Sequence, residues 1–330
     1  MNPTAASLLS LLVDGDLHGG PALAARLGVS RAAVWKLVAE LRDSGVDVES
    51  LPRRGYRLAR RCELLDASAI RSAAGPLVAD IDVHCELDST NRWLYDAPAP
   101  PAGRPHIVFA EIQSAGRGRR GRSWLSPFGS GLTFSIAWTY PDVPAQLPAL
   151  SLAVGVAVAD TLRAHGAAGV MLKWPNDVLW HGRKLGGLLI QLRFEAGGAA
   201  SVVVGIGINV ELPRDARDAI ARNADATPVA DVAEACGGRA PGRNALAGAL
   251  VAAVCAALER HGRDGFAAVS DRWQALDALA GRAVRVAQSS GAVLGRALGV
   301  DRDGALRVDV DGRVETFHAG DVSLRPAVAA

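Results

Sequence analysis

The chain has 330 residues, 49% hydrophobic and 21% charged, with a net charge of +2 at neutral pH. That length points to two or three domains, and the composition excludes an intrinsically disordered chain and a polyelectrolyte that binds nucleic acid over its whole surface. No uninterrupted apolar run reaches about 18 residues, which argues against a membrane span. The apolar run 8–13 meets Asp14 and Asp16 with no basic lead or small-residue cleavage site, so it is not read as a signal peptide and the expected location is cytoplasmic.

Residues 1–62 read as a small helical unit ending in a hairpin. A short Ala-rich helix over 21–27 is broken by Gly28, and Ser30 can cap a second helix over 31–42. There Val34, Leu37, Val38 and Leu41 fall at helical spacing and should face a core, leaving Arg31, Trp35 and Lys36 on other faces. Strands around 46–51 and 56–58 flank a turn carrying Arg53 and Arg54. Two helices joined tightly and followed by a basic-tipped hairpin make a winged helix-turn-helix. The start of its second helix would lie in the DNA major groove. Nine cations against six acids up to Arg61 suit phosphate contact, although a winged helix that binds protein instead is the competing reading.

The middle region predicts strands over 107–112, 132–138, 171–173, 178–180, 188–192 and 202–208, and long helices over 147–165 and 245–261. These strands cluster between the helices, which favours an α+β domain with a mixed or antiparallel sheet. The tail predicts short strands with turns at 289–291, 301–304 and Asp311-Gly312, a small SH3-like barrel.

The chemistry concentrates in three places. Residues 115–122 place four arginines among three glycines, a pattern that lets backbone N–H groups and guanidinium forks surround an anion. A phosphate-binding P-loop is rejected because no helix can follow, and a disordered RGG-type segment because apolar strands flank it. A loop that closes over an anionic ligand is left. Lys173-Trp-Pro-Asn-Asp177 reads as a strand end and turn, with Lys184-Leu-Gly-Gly187 one hairpin away. Only Lys36, Lys173 and Lys184 are lysines against 33 arginines, which draws attention to those positions. Asp88-Ser-Thr-Asn91 reads first as a helix cap. Gly205-Ile-Gly-Ile-Asn209 lacks the third glycine of a dinucleotide fingerprint, so its glycines read as a close backbone approach. The four cysteines form no CxxC, so neither a disulfide framework nor structural zinc is expected.

Taken in order, Asp88-Ser-Thr-Asn91, the 116–122 arginine loop, Lys173-Trp-Pro-Asn-Asp177 and Lys184-Leu-Gly-Gly187 resemble the bifunctional biotin–protein ligase and biotin-operon repressor family. The resemblance runs over essentially the whole chain. It implies an α+β protein of three domains: a winged helix-turn-helix (1–63), a catalytic domain of the biotin/lipoate ligase type (64–275) and an SH3-like barrel (276–330). It implies formation of biotinyl-5′-AMP from biotin and ATP with Mg²⁺, then transfer to a lysine of the biotin carboxyl carrier domain of acetyl-CoA carboxylase. The adenylate would also act as corepressor, promoting a homodimer that binds operator DNA.

Carried onto this sequence, the resemblance makes Arg117, Arg119, Lys173, Asp177 and Lys184 catalytic candidates, with Asp177 orienting or deprotonating the incoming lysine. Ligand contacts fall to Ser89, Thr90, Asn91, Gln113, Arg117, Gly118, Arg119, Trp124, Lys184 and Asn209, and DNA contacts to Ser30, Arg31, Trp35, Lys36, Arg53 and Arg54. No protein metal ligands are assigned. Two departures stand out: 222–229 lack the aromatic that some bacterial relatives carry there, and Ser123 stands where a basic residue would be natural. The alternatives are a lipoate–protein ligase and a ligand-sensing DNA-binding regulator without ligase activity.

Overall fold

The computed structural model describes the chain except residues 77–79, 195–199, 223–226, 289–290, 319–322 and 327–330. Half of the loop at 222–229, and residues 289–290 of the expected turn at 289–291, therefore lie outside the described residues. The N-terminal unit comprises α1 (Pro3–Leu12), α2 (Gly20–Leu27), α3 (Arg31–Asp43) and the hairpin β1 (Val48–Leu51) and β2 (Gly55–Leu58). Helix α1, not expected from the sequence, is capped by Asn2 and buries Leu8, Leu9 and Leu12. Gly28 ends α2 at φ 65°, a left-handed conformation that favours glycine. The Ser30 hydroxyl accepts the Ala33 N–H at 3.1 Å to start α3, which buries the four expected residues Val34, Leu37, Val38 and Leu41.

The central unit is built on seven described strands in the order β3-β4-β5-β9-β8-β7-β6. They are β3 (Asp80–Leu87), β4 (His106–Gln113), β5 (Gly131–Tyr140), β6 (Val170–Lys173), β7 (Asp177–Trp180), β8 (Arg183–Phe194) and β9 (Ala200–Asn209). All neighbours pair antiparallel except β3 with β4, which are parallel because α5 (Thr90–Asp96) crosses between them. The expected mixed sheet is thus present, with β3 as an added edge strand. Its alternation of Asp80, Asp82, His84 and Glu86 with smaller apolar residues is too weak a pattern to read alone.

One sheet face carries Ile107, Phe109, Ile136, Val202 and Val204 into the main core, covered by α4 (Ala67–Ala74), α6 (Leu150–Ala164) and α9 (Arg243–Asp264). The opposite face carries Val108, Ala137 and Val203 against Leu94 of α5. Two apolar helical stretches, Leu147–Ala164 and Arg243–Asp264, are long enough to cross a bilayer by length and composition. Polar residues interrupt both, so neither forms an unbroken apolar run in the sequence. Here both pack against one another in the core, as core helices of globular domains do. Short helices α7 (Arg214–Ala221), α8 (Val232–Ala235) and α10 (Ser270–Leu276) complete the unit, none long enough to show a clear periodicity in sequence.

The tail forms a five-stranded antiparallel sheet, β13-β12-β11-β10-β14, from β10 (Ala283–Gln288), β11 (Gly291–Val300), β12 (Leu306–Val310), β13 (Arg313–Phe317) and β14 (Ser323–Pro326). Asp311 and Gly312, at φ 51° and 81°, make the expected two-residue turn between β12 and β13. This sheet is not independent of the centre. The Trp174 indole N–H donates to the Gly304 carbonyl, in the turn between β11 and β12, at 3.1 Å, and the segment leading into β10 is tied by the Ala278 N–H to the Leu172 carbonyl at 2.8 Å.

Candidate active site

Cross-strand register builds the floor of a cleft on the α5 face of the central sheet. Thr133, Gly207 and Gly187 lie in one row and Ser135, Gly205 and Leu189 in the next. Because these residues are mostly small, side chains from neighbouring loops can lie down on the strands. A Cβ on Gly207 would stand 2.5 Å from the Trp124 ring, and one on Gly205 would stand 2.6 Å from Asn91 Nδ2. The close approach read from 205–209 is therefore to these two side chains. The cleft holds about 990 Å³ including its open mouth.

Its neutral end grows from the start of α5. The Ser89 hydroxyl caps that helix by accepting the Arg92 N–H at 3.4 Å, so the bland reading of Asp88-Ser-Thr-Asn91 is met. The same turn aims Thr90 and Asn91 into the cleft. Gln113 Oε1 accepts from the Thr90 N–H (2.8 Å) and hydroxyl (3.2 Å), and Thr90 Oγ1 lies 2.9 Å from Ser135 Oγ. Asn91 Nδ2 donates to the Leu189 carbonyl at 3.2 Å. Two buried atoms of the lining have no partner: Asn91 Oδ1, an acceptor, and Trp124 Nε1, a donor. Leaving such groups unpaired costs about 1–3 kcal/mol each, which a ligand that pairs them recovers.

The other end is charged. Lys173 closes β6, and Asp177 and Lys184 face it from β7 and β8. The Asp177 carboxylate lies 2.7 Å from Lys173 Nζ and 2.6 Å from Lys184 Nζ. Burial by itself pushes the Asp177 carboxyl upward, but Lys184 and then Lys173 outweigh it and bring its pKa down to about 2. A carboxylate this weakly basic holds the two ammonium groups in place and is poorly suited to take a proton. Of the two roles expected for Asp177, the geometry favours orientation. Asn176, whose Nδ2 donates to the Leu188 carbonyl at 2.6 Å, pins the turn and accepts from Arg119 at 3.5 Å. Burial lowers the Arg119 pKa, opposed by Asp177.

Over this end folds the arginine loop. The Gly118 N–H donates to the Arg122 carbonyl (2.6 Å) and the Trp124 N–H to the Gly116 carbonyl (2.9 Å), closing it as a small hairpin between β4 and β5. A Cβ on Gly116 would meet the Trp124 carbonyl at 2.5 Å, so this tight return needs glycine. Trp124 then lies under Lys184, whose Nζ is 5.7 Å from the ring centre.

Three family models match the chain: the biotin/lipoate A/B protein ligase family over 83–209, a helix-turn-helix domain over 6–57, and the biotin protein ligase C-terminal domain over 280–325. The chain is 39% identical over 321 residues to the bifunctional ligase/repressor BirA of Salmonella typhimurium, covering 97% of each. It is 38% identical to that of Escherichia coli, covering 99% of this chain and 98% of the relative. The chain belongs to the bifunctional ligase/repressor family. Among solved structures, a biotin protein ligase from Aquifex aeolicus in complex with biotin and ATP matches with a TM-score of 0.62 and 25% identity. That match covers 75% of this chain and 99% of that one.

Ser89, Thr90, Asn91, Gln113, Arg117, Gly118, Arg119, Ser123, Trp124, Lys173, Asp177 and Lys184 all line this one cleft. Asn209 does not. Its Nδ2 donates to the carbonyls of Ala230 (3.0 Å) and Lys184 (3.3 Å), so it ties backbone together outside the lining. Sequence reasoning missed Thr133 and Ser135, and placed Asn176 in its turn without giving it a role. The first two carry a weak signal, small polar residues at alternate positions of an apolar strand. On the N-terminal unit, Ser30, Arg31, Trp35, Lys36, Arg53 and Arg54 are all exposed, Trp35 at 62%. Trp35 is thus an exposed indole in the first half of α3, with Arg31 and Lys36 exposed on the same helix.

Proposed function

We propose that this ligase activates biotin with ATP in the cleft and passes it to a carrier lysine, with the bicyclic ring at the neutral end and the reacting phosphate at the charged end. The observation that carries the reading is the pair of unmet polar atoms beside the lysine–aspartate–lysine cluster. Asn91 Oδ1 and Trp124 Nε1 match the N–H and C=O of a ureido ring, and the cationic end matches two anions that must meet.

In the first step a biotin carboxylate oxygen bonds to the α-phosphorus and the bond to the β-phosphate oxygen breaks, releasing pyrophosphate. Lys184, Arg117 and Arg119 offset the repulsion between carboxylate and triphosphate, while Asp177 holds Lys173 and Lys184 in register. In the second step the neutral amine of a lysine of the biotin carboxyl carrier domain attacks the acyl carbon, the bond from that carbon to the phosphate oxygen breaks so that AMP leaves, and the amine's proton passes to water. The folded arginine loop keeps water from the mixed anhydride in between.

Mg²⁺ enters as part of the substrate Mg·ATP. Among the residues that line the cleft, Asp177 is the carboxylate and is engaged by two lysines, which leaves the nucleotide's phosphates and water as the chief ligands of that ion. The winged helix reads operator DNA through Ser30, Arg31, Trp35 and Lys36 on α3 and Arg53 and Arg54 on the hairpin, as a homodimer formed on biotinyl-5′-AMP. This reading divides the chain at 1–63, 64–275 and 276–330, with the tail sheet as the SH3-like barrel. It places the protein in the cytoplasm, where ATP, carrier and operator meet.

The test is to mix purified protein with biotin and Mg·ATP, without carrier, and to follow pyrophosphate and bound acyl-adenylate, with lipoate in parallel. Adenylate from biotin alone is expected. Adenylate from lipoate instead would reassign the substrate, and none from either acid would leave a ligand-sensing regulator.

A further inference from the structure

Lys184 reaches the cleft from a backbone that is held from outside it. Its N–H donates to the Pro228 carbonyl at 2.6 Å and its carbonyl accepts the Ala230 N–H at 2.9 Å, so residues 228–230 run parallel beside it. Asn209 bridges the Lys184 and Ala230 carbonyls from the other side.

The next residue, Asp231, is 1% exposed. Its Oδ1 accepts the Glu234 N–H (2.9 Å) at the start of α8, and its Oδ2 accepts the Leu212 N–H (2.7 Å) and the Arg217 guanidinium of α7. Arg217 also donates to the Leu212 carbonyl at 3.2 Å and pairs with Glu234 at 3.3 Å. Glu234 in turn pairs with Arg183, the residue before Lys184, at 3.1 Å. None of Arg183, Arg217, Asp231 and Glu234 lines the cleft.

A buried carboxylate is tolerated only while its donors stay in place, because an uncompensated buried charge is strongly destabilising. Asp231 therefore locks the end of β9, α7 and residues 228–230 into one unit against the Lys184 peptide groups. A side chain as long as lysine transmits small shifts of its own backbone to its ammonium, and misplacement by about 1 Å can cost 10²-fold in rate.

We propose that Asp231 and Arg217 are positioning residues for the adenylation step, setting where the Lys184 ammonium stands by clamping residues 228–230 to its backbone. The proposal rests on the reading of Lys184 as the cation that meets the phosphate.

The chain's three lysines make the test direct, since lysine-labelled full-length protein gives three ε-methylene carbon signals, assigned with K36R, K173R and K184R. R217Q is the primary variant, because Arg217 is partly exposed and its loss leaves Asp231 with two backbone donors. D231N is the second. The expected result for R217Q is a kcat for biotin-dependent pyrophosphate release about 10-fold lower, a biotin KM within about twofold, and a displaced Lys184 signal with Lys36 in place. R217K should restore most of the rate. An unchanged kcat, a loss of kcat with the Lys184 signal in place, or a biotin KM that rises in step would each overturn the proposal. K184A tests the reading beneath it: if K184A releases pyrophosphate at the wild-type rate, that reading fails. If K184A is inactive while R217Q is normal, only the positioning role falls.

Discussion

At one end of the cleft, Ser89, Thr90, Asn91 and Gln113 are neutral, short and tied to one another or to backbone, and they rise from a helix start and the end of β4. At the other end, Lys173, Asp177, Lys184 and Arg119 are charged, and they come from a hairpin and a folded loop. The neutral end needs rigidity, because a hydrogen bond to an uncharged ring is worth little unless donor and acceptor are already in place. The charged end needs its cations held in place, which Asp177 does by standing between two of them. Two kinds of recognition are thus built from two kinds of scaffold on one sheet.

The sharpest break in that comparison is K184A. Removing a cation from the charged end alone should lower biotin-dependent pyrophosphate release by about 10³-fold while biotin binding measured by calorimetry stays within about twofold. The complementary change is Gly205→Ala at the neutral end. Its Cβ would displace the Asn91 amide, and a strain of about 1–3 kcal/mol should weaken biotin binding about tenfold or more. An unaltered biotin affinity would show that Asn91 does not meet the ligand.

A pH experiment probes the Asp177 cluster. Its folded pKa of about 2 lies below the ordinary aspartate value of 3.8, so the ion pairs stabilise the fold above pH ~4, and that contribution is lost as pH falls toward 2. D177N should be less stable than wild type by about 2 kcal/mol near neutrality. The gap in urea-unfolding free energy should close between pH 4 and 2, and a gap constant with pH would show that packing carries the difference.

The smallest effect extends the comparison to a third cationic surface outside the cleft. R53A/R54A should reduce the salt dependence of DNA binding by a slope of about 2, roughly one unit for each phosphate no longer neutralised. An unchanged slope would move the DNA interface off the hairpin.

Apart from α1, the winged helix was legible because its signals are local: Ser30 as cap, Gly28 as terminator, and four apolar residues at helical spacing. The same holds for the Asp311-Gly312 turn. Strand β3 and helices α4, α7, α8 and α10 were not legible, since four to eight residues carry too little periodicity by themselves and β3 takes its place from its parallel partner β4. In the cleft, the lysine scarcity and the glycine-rich loop marked Lys173, Lys184 and the arginines correctly as members of one place. Asn209, expected as a ligand contact, is not among the residues that line the cleft, since a motif records the presence of a side chain and not its direction. Its amide turns toward two carbonyls and away from the cleft.

The sequence by itself determined which residue types were present, the local caps and turns, and the three-part order of the chain, because these follow from neighbours a few positions apart. Only the tertiary structure decided that Gly187, Gly205 and Gly207 share a floor, that Asp177 stands between two lysines, and that residues 228–230 run beside the Lys184 backbone. Those relations join residues that are distant along the chain. They follow from strand register and the twofold alternation of side chains across a sheet, which shift together or not at all.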